Sequence, residues 1–232
     1  MQTKTNKYTV FSILAIISAF ALVLADYLLE YMGMPSNEIG GMGIIESSWI
    51  NMQLWRFPLS IALCGFFIPF YLLGFYVLYK EIKVSSPKAA AAYFAMTGFG
   101  IMTASLIHGM LAYMPVVYKQ LIDAGHEALA VTITESIYTS TMSVFWVHYA
   151  ITWIVPQILL FALIISKKTM FSRFCVLFNP ITFLVMALVL KGLNPHGFEF
   201  IYVAAINKAN AATFIMAFIY ARRLPQSVRI PM

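Results

Sequence analysis

Six apolar blocks, each long enough to cross a bilayer, constrain this chain more than any other feature. They run at about Tyr8–Glu30, Leu54–Tyr79, Ala89–Met114, Ile137–Ser166, Phe174–Leu190 and Glu199–Ala221. Crossing the hydrocarbon core takes roughly 20 apolar residues of helix. In lipid every backbone N–H and C=O must be satisfied internally, which leaves helices or closed barrels. A barrel would alternate in segments of about ten residues, whereas these blocks are continuous. The expectation is an all-α polytopic membrane protein, a bundle of six transmembrane helices forming one domain over residues 1–232. Only 10% of the residues are charged, against about a quarter in soluble domains. The first block carries Ala19-Phe20-Ala21, which resembles a cleavage site. Its apolar run exceeds the roughly 7–15 residues of a signal core, so it is read as a retained helix.

The charges set an expected orientation. Lys4, Lys7, Lys80, Lys83, Lys88, Lys167, Lys168, Arg173, Arg222, Arg223 and Arg229 all fall on one side of such a bundle. Every acid except Glu81 falls on or toward the other. The positive-inside rule then puts both termini in the cytoplasm. The net charge of +6 is thus a topology signal, and no nucleic-acid partner is expected. Cys64 and Cys175 lie at different depths, too far apart for a disulfide.

The loops differ by side. "KEIKVSSPK" and "KKTMFSR" are short basic turns. The outer segment Gly33–Gln53 is glycine-rich and then amphipathic, either a surface lid or an interfacial connector. Pro115–Glu135 is read as a short helix or an outward extension of the fourth helix, and Glu135, His126 and His196 as solvated loop residues. Pro58, Pro69, Pro156 and Pro180 punctuate the spans but do not mark matching halves, as an inverted-repeat transporter would.

Ionisable residues within a span are functional candidates by default. Here they are Asp26, Arg56, His108, His148 and Lys208, with Asn207 and Asn210 beside them. Counting from the cytoplasmic charges at 1.5 Å per residue puts Asp26 and His148 at about 28 Å, His108 at about 30 Å and Arg56 at about 36 Å. Asn207 and Lys208 fall at about 21–23 Å. All lie in the outer half of a core about 30 Å thick. Gly100, Ala104, His108 and Ala112 form a small-residue stripe, which marks close helix packing. Ala15, Ser18, Ala19, Leu22 and Asp26 share a face of the first helix. Thr141, Phe145, His148 and Thr152 share one of the fourth. Asn207 and Lys208 flank Ala204 and Ala211.

The expected site is a polar pocket in the outer half that binds or chemically modifies an amphiphilic, lipid-like molecule. His148, His108 and Asp26 are the candidate acid–base residues. Arg56 and Lys208 would hold a head group beside Asn207. Trp146, with Trp153, Tyr113 and Tyr149, would supply aromatic walls. Each residue has a plainer alternative. Asp26 and Arg56 could be a structural ion pair, His108 a packing histidine, and Lys208 a snorkelling residue. Whether the protein is an enzyme stays open at this point.

No cofactor is expected. Asp26, His108 and His148 have the composition of a two-histidine, one-carboxylate metal set, but no local ligand spacing supports it and Arg56 would oppose a cation. His108 and His148 could supply only one haem pair. No G-x-S-x-G or phosphate loop appears. Lys208 lacks the helix count of a retinal protein. The other function classes are a proton-coupled transporter, which needs polar groups in the inner half, and a non-catalytic membrane subunit. Expected partners are membrane lipid and an amphiphilic small molecule, and a homo-oligomer is compatible with the sequence.

The runs "LADYLLEY", "LLGFYVLYKEIK" and "SLIHGML" resemble bacterial multi-pass inner-membrane proteins of unknown function. The resemblance covers about the first half of the chain. It implies some six helices in a bacterial inner membrane and brings no activity with it.

Overall fold

A computed structural model describes residues 7–31, 33, 36–42, 44–194 and 197–221, the side chains of 142 and 143 excepted. Lys4, His196, Arg222, Arg223 and Arg229, used in the sequence reading, lie outside the described residues. The architecture is all-α apart from one two-residue ladder. Four helical segments are long and apolar enough to cross a membrane: Lys7–Glu30, Arg56–Lys83, Pro87–Asp123 and Val144–Ile165.

Helix α1 (Lys7–Glu30) buries Ser12, Ala15, Ser18, Ala19, Leu22 and Ala25. This small-residue face lets α2 (Arg56–Lys83) and α8 (Ala205–Ala221) approach closely. Gly74 marks the tightest point. A Cβ there would sit 2.5 Å from the Phe214 ring and 2.7 Å from Ala15 Cβ.

Helix α3 (Pro87–Asp123) has 37 residues, about 55 Å of helix, and outruns the expected end at Met114. Pro115 is buried within it rather than ending it. The chain turns at Gly125 (φ +80°). There Gly125 N donates to Ile122 O and His126 N to Leu121 O, both at 2.9 Å, a paired C-terminal cap. Helix α4 (Glu127–Tyr149) begins ten residues before the expected Ile137, so Glu135 is helical rather than in a loop. His126 is exposed at the turn.

The described residues between α1 and α2 are clamped onto this extended hairpin. Strands β1 (Glu38–Ile39) and β2 (Ile45–Glu46) pair antiparallel. Ile45 is fully buried in a cluster with Tyr118 and Ala130. Lys119 Nζ donates to Ile50 O at 2.5 Å, and Met42 N to Glu135 Oε1 at 2.9 Å.

The later blocks are more broken than the sequence reading expected. A π turn at Ala150–Ile154 separates α4 from α5 (Val155–Ile165). Pro156 has no N–H for the carbonyl four residues back, which widens the turn. Phe174–Leu190 is not one helix. A 3-10 turn (Arg173–Phe178) gives way at Asn179, whose Oδ1 caps Ile181 N at 2.9 Å. With Pro180 at its first position, α6 (Pro180–Leu193) then starts afresh. The last block splits into α7 (Glu199–Tyr202) and α8, with Ala204 at φ +59° between them.

Candidate functional site

Asp26, near the C-terminal end of α1, belongs to a network with residues of three other helices. Its Oδ2 accepts from Asn207 Nδ2 on α8 at 2.6 Å. Tyr71 of α2 orients that amide by donating to Asn207 Oδ1 at 2.5 Å. Asp26 Oδ1 lies 3.9 Å from His108 Nδ1 on α3, and His108 Nε2 lies 2.8 Å from Ser60 Oγ on α2. Ser60 donates its own hydrogen to the Ala25 carbonyl at 2.7 Å, so His108 must be the donor in the short contact. A neutral imidazole then turns its Nδ1 lone pair toward Asp26 Oδ1. Two acceptors face each other there, beyond hydrogen-bond range. The order serine, imidazole, carboxylate is that of a hydrolytic triad. Ser60, however, is fully buried with its hydrogen on a carbonyl. In this arrangement the network ties α1, α2, α3 and α8 together.

Arg56 and Lys208 are engaged by backbone rather than by this network. Arg56 Nη2 donates to Tyr27 O at 2.7 Å and Tyr31 O at 2.5 Å, closing the negative end of α1. The Asp26–Arg56 ion pair is not formed: Asp26 is engaged by Asn207 and faces His108, while Arg56 Nη2 is held by the α1 carbonyls. Lys208 Nζ donates to the carbonyls of Phe200, Ile201 and Val203 at 2.6, 3.0 and 2.8 Å. It also lies 4.9 Å from the Tyr27 ring centroid. That bonding explains why α7 stops. Beside it lies a cavity of about 260 Å³, lined by apolar residues of α6 to α8 and by Lys208.

His148 does not join Asp26 and His108. Its Nε2 lies 2.8 Å from Thr103 Oγ1 on α3, and its ring packs on Phe99 at 5.6 Å. Thr103 and His108 are five residues apart on α3, about 140° around the helix. The two imidazoles therefore lie on different faces of α3, one toward α1 and α2 and the other toward α4. The residues weighed above as a metal set or a haem pair are therefore not brought together. Among the described residues no three His, Cys, Asp or Glu gather as a metal site.

His148 instead lines a cleft of about 400 Å³ between α3 and α4. Phe99 and Thr103 lie toward one end, Met114 and Ser140 toward the other, and Thr141, Val144 and Phe145 along its α4 wall. Val144 is 72% exposed and Leu106 67%, so the cleft opens on the apolar outside of the bundle. Trp146 and Tyr113, expected as aromatic walls, are themselves largely exposed and line neither cavity. Tyr149 instead stacks between Phe145 and Trp153 at 5.7 and 5.1 Å. Gly100 lets the π turn reach α3, since a Cβ there would meet Thr152 Cβ at 2.9 Å.

The sequence reading passed over Ser60, Tyr71, Thr103 and Glu81. The first three are uncharged hydroxyls in apolar runs, and attention to ionisable groups alone misses them. Glu81 sits in a basic run that looks solvated, yet it is fully buried with neither carboxyl oxygen hydrogen-bonded among the described residues. The buried positions Tyr71, Gly74, Leu78 and Glu81 follow steps of three and four, a signal that was legible.

The fold is that of an all-α protein with four helices long and apolar enough to cross a membrane. More particularly, the chain belongs to a family of unknown function (DUF6796), whose model matches residues 1–223. No curated protein and no solved structure matches it.

Proposed function

We propose that the protein crosses a bacterial inner membrane six times, with both termini in the cytoplasm, and holds an amphiphilic, lipid-like molecule in the cleft between α3 and α4. Four crossings use the long helices, and the two further crossings rest on shorter elements. Arg173–Leu193 combines a six-residue 3-10 turn with a 14-residue helix, together about 33 Å. The 17 residues of α8 add about 25 Å. The orientation follows from Lys80, Lys83, Lys88, Lys167, Lys168 and Arg173 in the turns at one end.

The single observation that carries the ligand reading is the cleft of about 400 Å³, apolar along its walls, open on the lipid-facing side and furnished with one imidazole. Its volume lies within the range of small-molecule sites. Acid–base work on a bound molecule would fall to His148, since Asp26 and His108 lie across α3. The test is native mass spectrometry after mild solubilisation. Retained lipid that is lost in Val144→Trp, which fills the cleft from its exposed wall, supports the reading. Equal retention in both proteins refutes it.

A second reading, proton-coupled transport, is favoured by the buried polar groups of the inner half: Glu81, Thr97, Gln157 and Asn179. Reconstituted protein should then acidify vesicles on substrate addition, and Glu81→Gln should abolish the signal. No proton flux would remove this reading.

A further inference from the structure

We propose that the cleft between α3 and α4 selects a neutral lipid bearing a hydroxyl group, a long-chain or polycyclic alcohol, over anionic, cationic and ester- or ether-headed lipids. This rests on the reading that the cleft holds an amphiphile. Each hydroxyl on its walls already donates to its own helix. Thr103 donates to Phe99 O and Gly100 O at 3.1 and 3.2 Å, Ser140 to Ser136 O at 2.6 Å, and Thr141 to Ile137 O at 2.8 Å. Thr152, which lies 3.3 Å from His148 Nε2, donates to His148 O at 2.8 Å. With both threonine hydrogens kept on these carbonyls, the threonines beside the ring are acceptors and His148 is assigned the tautomer with its hydrogen on Nε2. Among the described residues no group donates to its Nδ1.

In this tautomer the cleft offers lone pairs and no free N–H or O–H. A carboxylate, phosphate, ester or ether would bring acceptors to acceptors. A polar atom desolvated without a partner weakens binding by about five-fold or more. An ammonium would bring donors, but no Asp or Glu lines the cleft to balance its charge. A hydroxyl supplies the one hydrogen that Nδ1 accepts. His148 lies near the inner end, so the hydroxyl enters first and the apolar body extends outward. From Phe99 to Met114 the α3 wall runs about 22 Å.

The test uses the full-length protein in phosphatidylcholine nanodiscs with three photoactivatable probes: hexadecanol, its methyl ether and hexadecanoic acid. The alcohol should label peptides around residues 99–114 and 140–148 about five-fold or more above the other two. His148→Phe keeps a ring and removes the acceptor, and should bring the alcohol down to the level of the ether. Val144→Trp, at an exposed position, should block all labelling there. Equal labelling by alcohol and ether, stronger labelling by the acid, or unchanged selectivity in His148→Phe overturns the hydroxyl inference. In those cases the lipid cleft itself stands. Absence of labelling by every probe overturns both.

Discussion

Replacing Asp26 by Asn should leave stability nearly unchanged, although the residue is ionisable and sits within a span. The reason is the pattern of donors around it. Asn207 donates to Oδ2 at 2.6 Å, a bond that the carbonyl oxygen of the introduced amide would accept equally well. On the other side, Oδ1 faces the His108 Nδ1 lone pair at 3.9 Å. The new amide would turn its N–H toward that lone pair, converting an acceptor–acceptor gap into a hydrogen bond. Asp26→Leu has similar bulk but leaves Asn207 Nδ2 without its acceptor. A buried donor left unsatisfied costs about 1–3 kcal/mol, which for a chain of this size is about 2–12 °C in melting temperature. Tryptophan fluorescence of the detergent-solubilised protein, with its four tryptophans, follows the melt. The expected order has Asp26→Asn within about 2 °C of wild type and Asp26→Leu clearly below it. If Asp26→Asn melts as low as Asp26→Leu, the negative charge itself holds the helices and the donor argument is wrong. If Asp26→Leu is neutral, the network does not hold them at all.

Three further outcomes follow from packing and capping. Gly74→Val should cost about 1–3 kcal/mol by overpacking against Phe214 and Ala15, read as a lower melting temperature, while Gly192→Val, with open space around it, should avoid that clash. Lys208→Met should leave the α7 carbonyls without their shared donor at about 1–3 kcal/mol, with faster hydrogen exchange in α8 just after the break. Ile45→Asp should release the outer hairpin from Tyr118 and Ala130; protease cutting near residues 33–46 should rise several-fold while the rest of the bundle stays resistant.

The helical class was legible because long apolar runs leave the backbone few alternatives. The small-residue faces of α1 and α3 were legible because helix periodicity records which side is crowded. Breaks inside the runs were harder to read. The stop between α7 and α8 depends on Lys208 reaching back to three carbonyls, and Asn179 restarts a helix within an apolar stretch. Depth counting placed Asp26, His108 and His148 at similar heights. Height does not fix azimuth, and the 140° or so between Thr103 and His108 on α3 assigns the histidines to different neighbours. The roles of Arg56 and Lys208 were hidden for a related reason. A cation that caps a helix end has a backbone partner, and no residue type announces it.

The π turn at Ala150–Ile154 acts as a phase shift. Thr141, Phe145, His148 and Thr152 follow one another at steps of three or four; Pro156 and Gln157 are the next buried positions, and Gln157, which opens the buried face of α5, stands five residues after Thr152. Leu160 and Ile164 then resume the ordinary rhythm. One surplus residue therefore lets a single continuous rod present the cleft with one half and the bundle core with the other. Deleting any one residue of 150–154 would leave both halves helical. It would swing Gln157, Leu160 and Ile164 by about 100°, carrying the buried face of α5 toward lipid while His148 kept its place.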